Sequence, residues 1–139
     1  MKVEVNWTGN LSFVGMADQK DYQVQMGTSV ENGGNGTGVT PMELVLMGLA
    51  GCSGMDVVSI LNKKRLDFTS LKITVEGTRA VEHPKVFTSI NVTYTFSGDN
   101  LQSQLKALED SVRLSMDKYC SVAGMLNKTA QINWQVEIE

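Results

Sequence analysis

The side chains best suited to nucleophilic or metal chemistry are few: Cys52, Cys120 and the single histidine, His83. A cysteine reacts as its thiolate, so the surroundings of each sulfur decide whether it is reactive or inert. Cys52 lies in Leu49-Ala-Gly-Cys-Ser-Gly-Met-Asp56, with Gly48, Gly51 and Gly54 around it. Each glycine costs about 1 kcal/mol in a helix relative to alanine. Close approach of another backbone, or access for a small substrate, would account for them. The plain alternative is that Cys52 is a small core residue. Asp56 stands four residues on, on the same helical face, where its charge disfavours a thiolate unless it is paired. Cys120 lies in Lys118-Tyr-Cys-Ser-Val-Ala123, where a short helix begins. A helix N-terminus favours the thiolate, and on that ground Cys120 is the better nucleophile; the alternative is a turn cysteine of no consequence. His83, in Glu82-His83-Pro84, has no evident third member for a Cys–His hydrolase. Three scattered Cys and His residues also fall short of the usual zinc ligand sets, so neither a metal nor a cofactor is expected.

Several elements must hold these residues. Val3, Val5 and Trp7 alternate with Lys2, Glu4 and Asn6, and Leu11–Met16 and Tyr22–Met26 read as two more strands, a three-stranded meander. The Gly- and Asn-rich run Thr28–Gly38 reads as a mobile loop and lacks the Gly-Lys-Ser/Thr ending of a phosphate cradle. Thr40-Pro41-Met42-Glu43 is a helix start: Thr40 caps, Pro41 occupies the first turn, and Glu43 completes a capping box. That helix is predicted to run to about Lys63-Lys64 and is apolar on every side from Leu44 to Ala50. An all-round apolar helix must be buried all round. A chain of 139 residues can hardly surround it alone, so a second subunit is expected to cover part of it, making a homodimer. Glu43, Asp56 and the glycines argue against a membrane span.

Beyond it, Leu71–Val75 and Ile90–Phe96 alternate as two longer strands, and His83-Pro84 lies between them. Ser97–Asn100 is a turn, and Leu101, Leu105, Leu108 and Val112 mark an amphipathic helix to about Met116. Ser121–Leu126 is a short helix and Ile132–Ile138 a last strand. This order contains no repeating βαβ unit. It predicts an α+β fold with mainly antiparallel strands and a long buried central helix, as one domain over 1–139.

Composition narrows the function classes. Apolar residues make up 42% and charged residues 19%, which is globular. Twelve Lys and Arg against 15 Asp and Glu leave a net charge of −3, which provides no basic surface for nucleic acid. The N-terminus has no apolar run of roughly 7–15 residues, so a secretory signal is not indicated and the cytoplasm, with its reduced thiols, is expected.

The run Thr40-Pro-Met-Glu-Leu-Val-Leu-Met-Gly-Leu-Ala-Gly-Cys-Ser-Gly-Met-Asp-Val-Val-Ser-Ile-Leu61 closely resembles the active-site helix of the OsmC/Ohr superfamily, the osmotically inducible protein C and organic hydroperoxide resistance proteins. Lys118–Ala123 resembles its second-cysteine motif, and the likeness extends over essentially the whole chain, including Glu82–Phe87, as a divergent OsmC-like branch. The resemblance implies an intertwined α+β homodimer with swapped strands, helices back to back and two active sites at the interface. It implies a thiol peroxidase of oxidative stress defence that uses no metal or haem. By motif, Cys52 matches the peroxidatic cysteine, Cys120 the resolving one and Glu43 the active-site glutamate, which reverses the order drawn from helix ends. Cys52 would attack an organic hydroperoxide and become a sulfenic acid, Cys120 would close a disulfide, and a small or protein-bound dithiol would reduce it. An apolar pocket around Cys52, with Met42, Leu46 and Met55 as walls, would favour alkyl substrates. The family's N-terminal arginine has no counterpart: Gly15–Asp21 offers only Lys20, which lacks the guanidinium fork, and Arg79 and Arg113 are the substitutes to consider. That departure motivates a second reading, a non-catalytic small-molecule binding or redox-sensing protein on the same scaffold.

Overall fold

Period-two alternation and tight turns account for the first part of the chain. The computed structural model describes residues 1–18 and 21–139, so Lys20 lies outside the described residues. Met1–Val45 and Leu46–Glu139 form two compact units. In the first, strands β1 (Val3–Gly9), β2 (Ser12–Ala17) and β3 (Gln23–Met26) pair antiparallel in the order β1-β2-β3. Trp7 stands opposite Phe13, Val5 opposite Gly15, and Gly15 opposite Val24, so Val5, Trp7, Phe13 and Val24 share one face. That face is open within the chain: Trp7 is 67% and Val5 51% exposed.

The glycine-rich run Thr28–Gly38 carries local hydrogen bonds of its own. A 3₁₀ turn spans Val30–Asn32, the N–H of Gly34 donates to the Ser29 carbonyl (2.9 Å) and that of Gly36 to the Thr28 carbonyl (3.1 Å). Asn35 Oδ1 accepts from both the amide and the hydroxyl of Thr37. Gly38 has φ +80°, and a Cβ there would stand 2.6 Å from the Gln25 carbonyl, so no other residue fits without strain.

Helix α1 (Pro41–Lys63) begins as the capping box predicts. The Thr40 N–H donates to Glu43 Oε2 at 2.7 Å, its hydroxyl donates to the same oxygen at 2.8 Å, and the Glu43 N–H returns to Thr40 Oγ1 at 3.3 Å. These bonds, from the Thr40 amide first and its hydroxyl second, hold the Glu43 carboxyl below the usual glutamate range. A lowered pKa in the fold contributes stability above the ordinary value and loses it as the pH falls through the lowered one. Thr40→Ala keeps the amide hydrogen bond but removes both hydroxyl contacts, so it should destabilise the fold at neutral pH and by less in acid, where Glu43 is protonated; paired urea melts at neutral and acid pH check both.

In the second unit, β4 (Ser70–Arg79) and β5 (Phe87–Ser97) pair antiparallel, and β6 (Gln131–Ile138) joins β5 in parallel. The central position of β5 explains its burial: Ile90, Val92, Tyr94 and Phe96 are all enclosed. Helix α2 (Leu105–Leu114) buries Leu108 and Val112, and α3 (Ser121–Leu126) precedes β6. The α+β class and the mainly antiparallel pairing hold, with two small sheets and β6 as the parallel exception.

As expected of a chain too short to surround it, α1 is covered within the chain along one stripe only, Leu49, Ser53, Val57 and Leu61 with Gly54, while Met47 and Met55 are 53% and 72% exposed. Of the three glycines beside Cys52, only Gly54 is tight, where a Cβ would meet Ile73 Cδ1 at 2.7 Å; at Gly48 and Gly51 it would meet nothing within 4 Å. One expectation needs correction, the end of α2, whose α-helical bonding stops at Leu114 rather than at about Met116. The chain continues as a π turn over Ser115–Tyr119, closed by the Cys120 N–H on the Ser115 carbonyl at 2.8 Å. Such widened turns are rare and cluster at functional sites. No residue type in Ser115–Tyr119 announces one.

Candidate functional site

Both cysteines lie in the second unit, and the fold brings them together. Cys52 sits in the middle of α1 and is half-buried; Cys120 caps α3 and is 4% exposed. The two sulfurs and a carboxylate oxygen of Asp56 all lie within 4.8 Å of one another. The i, i+4 spacing on α1 puts Cys52 and Asp56 on one face, and the π turn delivers Cys120 to them.

The surroundings of Cys120 reverse the expectation drawn from its helix end. The Ala123 N–H does donate to its Sγ at 3.3 Å. Burial is the larger effect, and the neighbouring Cys52 sulfur adds to it, so the thiol is pushed up to about 11. Cys120 is therefore a protonated thiol at neutral pH and the poorer first nucleophile. Cys52, half-buried, is the more exposed of the two cysteines.

Asp56 is oriented by the Ser115 hydroxyl, which donates to Oδ2 at 3.0 Å. It forms no ion pair among the described residues, where Asp110 with Lys106 and with Arg113 are the pairs present. Behind Cys52, Tyr94 donates to Ser53 Oγ at 2.7 Å, and Ser53 donates in turn to the Ala50 carbonyl at 3.3 Å. Burial pushes the Tyr94 phenol up to about 12, against the pull of that Ser53 bond. Tyr94 is thus a neutral donor that fixes the α1 turn carrying Cys52.

The remaining expected residues lie elsewhere. Glu43, nine residues before Cys52 on α1, is exposed and engaged by Thr40. His83 is exposed in the β4–β5 connection. Arg79 donates from Nε to the Lys85 carbonyl at 2.7 Å, and Arg113 pairs with Asp110, so neither serves the thiols within the chain. A groove of about 940 Å³ opens beside α1 between Gly51, Met55 and Val58 and the β4 residues Leu71 and Ile73. Met55 lines it, but Met42, Leu46 and Cys52 do not.

Comparison with known proteins decides the family. A family model described as "OsmC-like protein" matches residues 33–135. The chain belongs to the OsmC-like family. Protein YhfA of Escherichia coli K12 is 37% identical over 139 residues, covering 99% of this chain and 98% of its own. The crystal structure of a hypothetical protein from Aquifex aeolicus VF5 is 33% identical with a TM-score of 0.79, covering 99% and 96% of the two chains. An organic hydroperoxide resistance protein OsmC from Legionella pneumophila shares the fold at a TM-score of 0.74 and 15% identity, covering 98% and 95%.

Sequence reasoning missed three residues packed around the two cysteines and Asp56: Ser115, Ser53 and Tyr94. Ser53 had a signal, a serine inside an apolar helical stripe. Ser115 had none, since its inward direction depends on the π turn.

Proposed function

We propose that this OsmC-like chain is a cytoplasmic thiol peroxidase that reduces organic hydroperoxides, working as an intertwined homodimer. The observation that supports it most is the pairing of a half-buried Cys52 with a buried Cys120, their sulfurs within 4.8 Å. The Cys52 thiolate attacks the terminal oxygen of the peroxide, the O–O bond breaks, and the alcohol leaves with a proton. Cys52 is then a sulfenic acid. Cys120 sulfur attacks it, the hydroxyl leaves as water, and a disulfide closes with both cysteines oxidised. A small or protein-bound dithiol returns both to thiols. The burial of Cys120 suits a resolving sulfur, kept from peroxide until Cys52 has reacted.

The open apolar face of the first sheet and the uncovered side of α1 support the second subunit, which would also complete the wall beside Cys52. Glu43, the residue matched to the family's glutamate, is assigned to that completed site. The test is peroxide consumption with a dithiol present. Wild type should turn over cumene hydroperoxide and Cys52→Ala should fall to the rate without protein; equal rates would refute the reading.

A second reading, a binding or redox-sensing protein without turnover, is favoured by one observation: Arg79 and Arg113 are engaged away from the thiols. It requires a small molecule retained in native mass spectrometry, and fails where none is bound.

A further inference from the structure

We propose that Cys52, Asp56 and Cys120 form a binding site for a thiophilic divalent cation of the Zn²⁺ class, with two thiolates and one carboxylate as ligands and water in the fourth position. A count of cysteine and histidine overlooks such a site because its third ligand is a carboxylate. The three ligand atoms already lie within 4.8 Å of one another. Tetrahedral zinc, with bonds of about 2.3 Å to sulfur and 2.0–2.2 Å to oxygen, sets neighbouring ligands about 3.6–3.8 Å apart. The site therefore needs each pair to close by at most about 1.2 Å, within reach of side-chain rotation.

Three features favour the ion over chance proximity. Asp56 is half-buried and has no cationic partner among the described residues, so its charge is uncompensated beside two thiols. The outer contacts of a metal site are in place: the Ser115 hydroxyl orients the carboxylate and the Ala123 N–H donates to Cys120 Sγ. Cys52 keeps the solvent access that a bound water requires. On binding, two sulfur–zinc bonds and one oxygen–zinc bond form and two thiol protons leave to solvent, so no oxidant or reductant is needed.

Zn²⁺ here is not a cofactor of peroxide reduction. It holds both sulfurs as ligands, so metal binding and disulfide formation exclude each other. The inference rests on the ligand geometry and stands apart from the peroxidase reading.

The experiment titrates phosphine-reduced protein with Zn²⁺ against a chromophoric chelator, and with Co²⁺ as the spectroscopic probe. One equivalent per chain should bind, with a thiolate-to-cobalt charge-transfer band. Ser115→Ala, which removes an outer contact, should weaken binding roughly 10–100-fold. Asp56→Asn, Cys52→Ser and Cys120→Ser should each weaken it more, while His83→Ala should leave it unchanged. Circular dichroism confirms that each variant is folded. Failure of the wild type to bind, full affinity in Asp56→Asn, or loss of the ion in His83→Ala would each overturn the proposal. Zinc binding without peroxide turnover would defeat only the peroxidase reading, and turnover without zinc binding only this one.

Discussion

Cys120→Ser should consume one equivalent of organic hydroperoxide per Cys52 and then stop. With no neighbouring thiol to close the disulfide, Cys52 is stranded as a sulfenic acid and passes to the irreversible sulfinic acid under excess peroxide. Steady-state turnover should fall to near background while the first burst survives, whereas Cys52→Ala loses both. The wild-type protein should show a further signature in its pH dependence. Disulfide closure requires the Cys120 thiolate, and burial, with the Cys52 sulfur adding to it, pushes that thiol up to about 11. Only a small fraction is thiolate at neutral pH, so the rate of disulfide closure should climb roughly tenfold per pH unit toward alkaline pH. Conversion of the Cys52 sulfur to a sulfenic acid removes one contribution to the rise but leaves the burial. Stopped-flow detection of the sulfenic acid by a trapping reagent separates this step from the first. A closure rate flat between neutral and alkaline pH would mean that Cys120 is not the group that limits it.

The largest stability effect should come from Phe96→Ala. Phe96 is fully buried on the central strand β5, with its ring edge-on to Phe68 at 5.7 Å between centroids. It stands opposite Leu71 on one side and Ile138 on the other, so its loss opens a cavity between all three strands of the second sheet. Such a truncation costs about 3–5 kcal/mol, against a whole-domain stability of about 5–15 kcal/mol. Urea unfolding at one fixed protein concentration should show a large drop in midpoint at unchanged slope. Val81→Ala, at a residue 84% exposed, should stay within about 0.5 kcal/mol of wild type.

Local signals in the sequence carried far. Thr40, Pro41 and Glu43 announce the start of α1 because a capping box is made within four residues. The alternation Ile90, Val92, Tyr94, Phe96 marks β5, though not that β6 joins it in parallel, since a strand's own pattern does not name its neighbour. The contact of Cys52 with Cys120 was legible only through the family motif: their proximity depends on a π turn that no residue type encodes. The helix-end argument for Cys120 found its N-cap correctly and missed its burial, the larger effect, because burial depends on what else packs there. Asp56 is legible as a charge on the helical face of Cys52, whereas its Ser115 partner lies 59 residues along the chain and no local pattern names it. The all-round apolar α1 predicted cover on every side, and the single chain supplies one stripe of it.

The central claim is that Cys52 and Cys120 act as a peroxide-driven redox pair, and a thiol count tests it most directly. Purified, reduced protein is mixed with one equivalent of cumene hydroperoxide and its free thiols are counted, with Cys52→Ser in parallel. The wild type should lose both thiols within seconds and regain both with a dithiol, while the variant keeps its remaining one. Persistence of both wild-type thiols over many minutes would contradict the claim.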